Sequence, residues 1–190
     1  MPIDRPTRRA VLGALAASAL AAPALAQSEQ VVVIPREFLP TDVALSADAT
    51  PGVIHVDIAN TWLYYVTAPR IARRYKIAVG AAGRNFRGEA VIRRRAEWPS
   101  WTPTANMIRQ EPHIYAQSAG GLPGGHPRNP LGARALYLYQ GGRDTLYRIH
   151  GTPQPWTIGR SFSSGCVRMI NEHMIDLYDR VPIGTRVVVA

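Results

Sequence analysis

The chain has 190 residues, with 22 Lys and Arg against 13 Asp and Glu and a formal charge of +9. That length fits one domain of roughly 100–200 residues plus a short extra segment, and no apolar run beyond the first thirty residues suffices to cross a bilayer. The arginines fall in small groups, Arg73-Arg74 and Arg93-Arg94-Arg95, inside strand-like segments, which favours a solvated basic surface over nucleic-acid binding.

Residues 1–26 read as an export signal. Arg8-Arg9 precede an apolar stretch from Ala10 to Ala22, and Ala24-Leu25-Ala26 offers a small-x-small cleavage site. Thr7-Arg8-Arg9-Ala10-Val11-Leu12 resembles a twin-arginine motif, so the expected destination is the periplasm by the twin-arginine route, with general secretion as the alternative. Within this signal only Arg5, Arg8, Arg9 and Asp4 are charged, so the basic character belongs to the rest of the chain. No integral membrane segment is expected after cleavage. Residues 27–51 read as an N-terminal extension, its one apolar run (Val31 to Ile34) broken by Pro35 and Pro40. Export makes the single cysteine informative: exported proteins use cysteine mostly in pairs, so one thiol signals an intermolecular bridge or a reactive group.

From Gly52 the pattern is that of strands. Val53 to Ile58 alternates, Trp62 to Val66 is aromatic and β-branched, and Ala59-Asn60-Thr61 is the turn of a hairpin. Arg74 to Val79 and Glu89 to Arg93 follow as strands around a glycine-bearing turn. Trp98 to Ser118 reads as an interrupted helix, with Thr102 as cap, Pro103 in the first turn and a break at Pro112. Gly120 to Gly125 is a loop; no Gly-Lys-Ser/Thr follows to make it a phosphate cradle. Leu136 to Tyr139 and Leu146 to His150 are strands joined by Gln140 to Asp144. Met174, Leu177, Tyr178 and Val181 then recur at helical spacing, with Asn171 as cap and Pro182 and Gly184 as stop. Thr185 to Val189 is a last strand, so the chain is expected to be mainly β with one or two helices.

Chemistry concentrates between His150 and Asn171. A thiol attacks as thiolate, and at its ordinary pKa only a few per cent is ionised at neutral pH. His150, at the end of a strand, is the residue best placed to take the proton of Cys166. Gly165 and the small Ser163 and Ser164 let a substrate carbonyl approach the backbone, where the N–H groups of Gly165 and Cys166 could face a developing oxyanion. Arg168 adds positive charge that favours thiolate or holds a carboxylate. On residue types alone a second reading stays open, in which Cys166 is a small buried hydrophobe and His150 a satisfied strand-end histidine.

His150-Gly151-Thr152, followed by Ser163-Ser164-Gly165-Cys166-Val167-Arg168-Met169 and by Asn171 and Leu177-Tyr178, resembles the signature of the L,D-transpeptidase catalytic domain of the YkuD or ErfK/YbiS type. Asn129-Pro130-Leu131-Gly132 and the hairpin bearing Asp57 and Leu63-Tyr64 are similar to the family's style, extending the resemblance over residues 52–190. It implies an L,D-transpeptidase-like β-sandwich or barrel domain. Cys166 would attack a peptidoglycan stem tetrapeptide, releasing its terminal D-alanine, and an amine of a diaminopimelate-containing neighbour would resolve the thioester into a 3-3 cross-link. The resemblance makes His150 the base and gives the Gly151 carbonyl the task of orienting its imidazole. It also implies acylation of Cys166 by carbapenems. Ser164 stands where many members have histidine, and His173 where an acidic residue often follows Asn171.

Trp156, between His150 and Cys166, is a candidate wall of the substrate cleft, while His55 reads as a packing or surface residue. His113 and His126 lack partners at ligand spacing, so neither a metal site nor a cofactor is expected. Asp57, Asp144 and Asp176 do not pair as glycosidase carboxylates. The alternatives share the first half-reaction: L,D-carboxypeptidase activity, or attachment of an envelope protein to peptidoglycan with that protein as acceptor. An alternative of another class is a non-catalytic peptidoglycan-binding module.

Overall fold

A computed structural model describes residues Val32–Ala190; the export-signal reading of residues 1–26 lies outside the described residues. The strands are β1 (Thr41–Ala44), β2 (Ile54–Asp57), β3 (Trp62–Ala68), β4 (Ile71–Lys76), β5 (Val79–Gly80), β6 (Gly88–Glu97), β7 (Arg134–Gln140), β8 (Arg143–His150), β9 (Ser161–Ser163), β10 (Val167–Arg168) and β11 (Arg186–Val189). Helices α1 (Ala105–Gln110) and α2 (Pro112–Tyr115) precede β7, and α3 (Asn171–Arg180) precedes β11. Nine strands form one sheet in the order β1-β4-β3-β2-β11-β6-β7-β8-β10, and β5 and β9 pair separately. The mainly β class expected from the alternating patterns is what the chain adopts.

The expected hairpin is β2 and β3, antiparallel, with Ile54 opposite Tyr65 and Asp57 opposite Trp62. Its turn is tied by the Asp57 carboxylate, which accepts from the backbone and side-chain amides of Asn60 at 3.0 and 2.8 Å, a local side-chain substitute for a backbone turn bond. The β7–β8 hairpin closes on Gly141-Gly142, with φ of 57° and 79°, the two positive values a tight hairpin turn needs. The last strand runs parallel to β2 and antiparallel to β6, stitching the first hairpin to the rest of the sheet.

Alternate residues of these strands bury one continuous core containing Ile54, Leu63, Tyr75, Ile92, Leu136, Ile149 and Val187. Against it lies the apolar stripe of α3: Met174, Leu177 and Tyr178 are buried as their i, i+3, i+4 spacing predicts. Removing a side chain such as Met174 or Leu177 from water contributes about 1.5–3 kcal/mol. A smaller cluster of Ala78, Ile158 and Ile170 is covered by Ile34 and Phe38, and β1 pairs with β4, so residues read as extension lie on the domain.

Among the described residues the interrupted helix expected over 98–118 is two short α-helices, Pro112 beginning the second where the first ends; proline lacks the N–H to continue a helix yet suits a first turn. Two cap expectations are corrected. The cap of α1 is Thr104, whose hydroxyl accepts from the Met107 amide at 3.2 Å, and not Thr102. Asn171 does not cap α3: the cap position is Ile170, and Asn171 is the first helical residue with its side chain committed elsewhere.

Candidate active site

The site is built on the edge of the sheet where β10 lies parallel to β8, with Val167 opposite Ile149 and Arg168 opposite His150. Cys166 comes one residue before β10, and continuing the register sets it beside Arg148. Side chains two apart on a strand share a face, so Cys166, Arg148, His150 and Arg168 face the same way, with thiol and imidazole as diagonal neighbours on adjacent strands. The register therefore sets the pair singled out in the sequence on one face of two adjacent strands, although fifteen residues intervene.

His150 is buried, 3% exposed, and its Nδ1 lies 2.6 Å from the Gly151 carbonyl oxygen. A carbonyl only accepts, so Nδ1 carries the hydrogen and Nε2 keeps its lone pair. Burial pushes the imidazole pKa down to about 3; the charges of Arg168 and Arg148 act in the same direction, outweighing the carbonyls of Gly151 and Pro130, which favour the protonated ring. The Cys166 thiol is pushed above its usual value, chiefly by burial, against the opposing pull of the Arg148 backbone and the charges of Arg148 and Arg168. Both groups are thus neutral at neutral pH.

In this structure the thiol donates to the carbonyl of Leu146 at 3.9 Å. A bulge in β8 places that carbonyl: Arg148 pairs with Tyr137 and Asp144 with Tyr139, leaving three residues of β8 opposite one of β7. Leu146 takes φ of 63° there, exposed, with its amide donating to Asp144 Oδ1 at 2.8 Å. Bulges re-aim groups beside a site in this way. The Asp144 carboxylate also takes both Nη atoms of Arg148, at 2.6 and 2.8 Å, fixing that guanidinium near the sulfur. Arg148 was missed in the sequence; its signal is its place two residues before His150, on the same strand face.

The turn before the cysteine is braced from within. Ser163 Oγ donates to the Cys166 carbonyl at 2.8 Å and accepts from the Gly165 amide at 3.2 Å. The Gly165 N–H, expected to face an oxyanion, is thereby committed to Ser163, a correction that leaves the Cys166 N–H as the candidate donor. Gly165 has φ of 128°, and a Cβ there would collide with the Tyr147 ring and the Arg84 carbonyl, so only glycine fits. Ser164 Oγ and the Tyr115 hydroxyl stand 3.1 Å apart, joining α2 to this turn. The guanidinium of Arg168 lies over the Phe162 ring at 4.7 Å, and its buried Nε has no protein partner. Trp156 sits in the short 3-10 turn Pro155–Thr157, exposed at 56%, outside this hydrogen-bonded cluster.

Other residues fall elsewhere. His173 is buried on α3, its pKa lowered by burial, and its Nδ1 has no protein partner. An open cavity of about 440 Å³ lined by His55, Asp57, Tyr64 and Arg87 shares no residue with the cysteine turn. Among the described residues no three His, Cys, Asp or Glu gather as a metal site, and no helix is long and apolar enough to cross a membrane.

A thiol diagonally across two strands from an imidazole whose tautomer is held by a backbone carbonyl, on a sheet edge flanked by arginines, is an arrangement whose chemistry suits acyl transfer through sulfur. Residues 51–189 match the model of the YkuD L,D-transpeptidase catalytic domain, and the chain belongs to that family. It is 36% identical over 169 residues to ErfK/SrfK of Salmonella typhimurium, described as a probable L,D-transpeptidase, covering 86% of this chain and 50% of that protein. ErfK/SrfK of Escherichia coli K12 is likewise 36% identical, covering 78% and 47%; the chain thus spans about half the length of these curated relatives. A crystal structure from Brucella melitensis, described as a probable carnitine operon oxidoreductase, is 52% identical and covers 83% of this chain and 96% of its own, with a TM-score of 0.56. L,D-transpeptidase 3 of Mycobacterium tuberculosis, 15% identical with a TM-score of 0.52 over 73% of this chain and 60% of its own, shares the fold.

Proposed function

We propose that the protein is an L,D-transpeptidase that uses Cys166 to carry an acyl group between peptidoglycan stem peptides. The observation that carries this reading is the placement of Cys166 diagonally across β8 and β10 from His150, whose Nδ1 is 2.6 Å from the Gly151 carbonyl, within a domain that matches the family over residues 51–189. Because burial holds both partners neutral, the sulfur swings from the Leu146 carbonyl and attacks as its proton passes to Nε2. The C–S bond forms at the carbonyl of the third stem residue, and the oxyanion is met by the Cys166 N–H. Collapse breaks the bond to the terminal D-alanine, whose amine takes the proton back from Nε2, leaving a thioester. The amine of a second, diaminopimelate-containing stem then attacks, giving a 3-3 cross-link and the free thiol.

Arg168 and Arg148 place two positive charges at this face. They suit it to the carboxylates of stem peptides and make Arg168 a substrate-holding residue. No cofactor enters the cycle. Residues 1–26 serve as the export signal, of twin-arginine type, delivering the domain of residues 52–190 to the periplasm. Purified protein incubated with disaccharide-tetrapeptides, with products weighed by mass spectrometry, tests the reading: cross-linked dimers are expected. Tripeptides alone would move the assignment to L,D-carboxypeptidase, adducts with an envelope protein would move it to attachment, and turnover surviving Cys166→Ala would refute the nucleophile. A protein that pelleted with sacculi but never turned over would be a binding module.

A further inference from the structure

The side chain of Asn171, the first residue of α3, does not serve its own helix: α3 has no side-chain cap. Its Oδ1 instead accepts from the Ala133 amide at 3.0 Å, thirty-eight residues away. Two glycines close around that oxygen. A Cβ on Gly132 or on Gly151 would overlap it, and a Cβ on Gly132 would also lie 2.6 Å from the carbonyl carbon of Gly151. Three backbone segments therefore meet on one amide: the turn before β7, the end of β8 and the start of α3.

The turn is itself rigid. Asn129, 2% exposed, donates to the carbonyls of Pro99 and Pro123 at 2.8 and 3.0 Å and accepts from the Leu131 amide at 3.0 Å. The Gly151 amide donates to the Arg134 carbonyl at 3.0 Å. Asn171 is thus pressed between a fixed turn and the peptide whose carbonyl takes the His150 Nδ1 hydrogen. The tilt of that peptide sets the direction of the acceptor, and with it the ring's orientation and the nitrogen left basic.

We propose that Asn171 is a positioning residue of the active site, wedging the Gly151 peptide so that its carbonyl holds His150 as the Nδ1–H tautomer with Nε2 turned to the thiol. This rests on the reading of Cys166 and His150 given above. An alanine at 171 leaves the Ala133 N–H without its acceptor and opens space beside two glycines, so the Gly151 peptide rocks and the imidazole loses its single orientation.

The test compares wild type, Asn171→Ala, Asn171→Asp and Cys166→Ala in the full chain, on tetrapeptide turnover, thermal midpoint and the ¹⁵N shifts of the His150 ring, assigned by their loss in His150→Gln. Asn171→Ala is expected to lower kcat by about 10- to 100-fold, as sub-ångström misplacement of a reacting group does, with KM within about twofold. Its His150 nitrogens are expected to shift from a pure Nδ1–H pattern toward a tautomer mixture. Asn171→Asp keeps the acceptor oxygen and is expected to retain the Nδ1–H pattern, with kcat within about fivefold of wild type. If Asn171→Ala does not fold, Asn171→Ser, too short to reach Ala133, carries the same expectation. A folded Ala or Ser variant with wild-type kcat, or with low kcat but an unchanged tautomer, overturns the proposal. Activity surviving in Cys166→Ala overturns the nucleophile assignment instead, so the two failures are distinguishable.

Discussion

The electrostatics at β8 and β10 make a prediction about how the thiol ionises. Burial raises the Cys166 pKa and depresses that of His150 to about 3, so the resting pair is thiol and imidazole and not thiolate and imidazolium. The chain has one cysteine, so alkylation by iodoacetamide followed by intact-protein mass reports this sulfur alone. A thiol with the ordinary pKa of about 8.5 is about 3% ionised at pH 7, and Cys166 falls below that. Its alkylation rate should rise about tenfold per pH unit, or about 100-fold from pH 6 to pH 8, since thiolate is the reacting form. The sharper comparison is His150→Ala. A small uncharged reagent needs only the thiolate, so the variant's alkylation profile should stay within about threefold of wild type, while peptide turnover falls by about 10²- to 10⁴-fold through loss of the general base. A flat alkylation rate from pH 5 to pH 7, collapsing in His150→Ala, would mean a preformed ion pair and would refute the reasoning from burial.

Gly165→Ala forces φ of 128° on a residue with a Cβ and drives that carbon into Tyr147 and Arg84; urea unfolding should show a loss of about 1–3 kcal/mol, with turnover abolished, and wild-type values for both would contradict the geometry. Asp176 accepts from Arg73 at 2.6 Å, Tyr75 at 2.7 Å and Arg180 at 2.7 Å, and these partners hold its carboxyl down at about 2 against an ordinary 3.8. The depressed value means stability present above about pH 4 and lost as pH falls toward 2. Asp176→Asn should therefore be less stable by about 2 kcal/mol at neutral pH, with the gap closing between pH 4 and pH 2 in acid titrations followed by circular dichroism. A carbapenem should add its mass once to the wild-type chain and not to Cys166→Ala; an unchanged mass in an active preparation would count against an acyl-accepting sulfur.

Where structure and sequence agree, the information was local. Alternation along Val53 to Ile58 and helical spacing from Met174 to Val181 each need only a few neighbours to declare which face is buried, and β2, β3 and α3 follow them. The strand ending at His150 and the turn bearing Cys166 were legible for the same reason. The helix boundaries were less so: at Thr104 and Ile170 several residues can serve as cap, and the geometry of the preceding loop chooses among them.

By itself the sequence determined the mainly β class, the family and the thiol and imidazole that stand out within it, because residue type, period and motif spacing are written along the chain. Only the tertiary structure decided that β10 lies parallel to β8, which lays Cys166 beside Arg148 and diagonal to His150, that Ser163 claims the Gly165 amide, and that Asn171 reaches across to Ala133 and the Gly151 peptide. These contacts join residues far apart in the chain or turn on the precise course of one loop. Packing and backbone hydrogen bonding set them, and no local pattern encodes either.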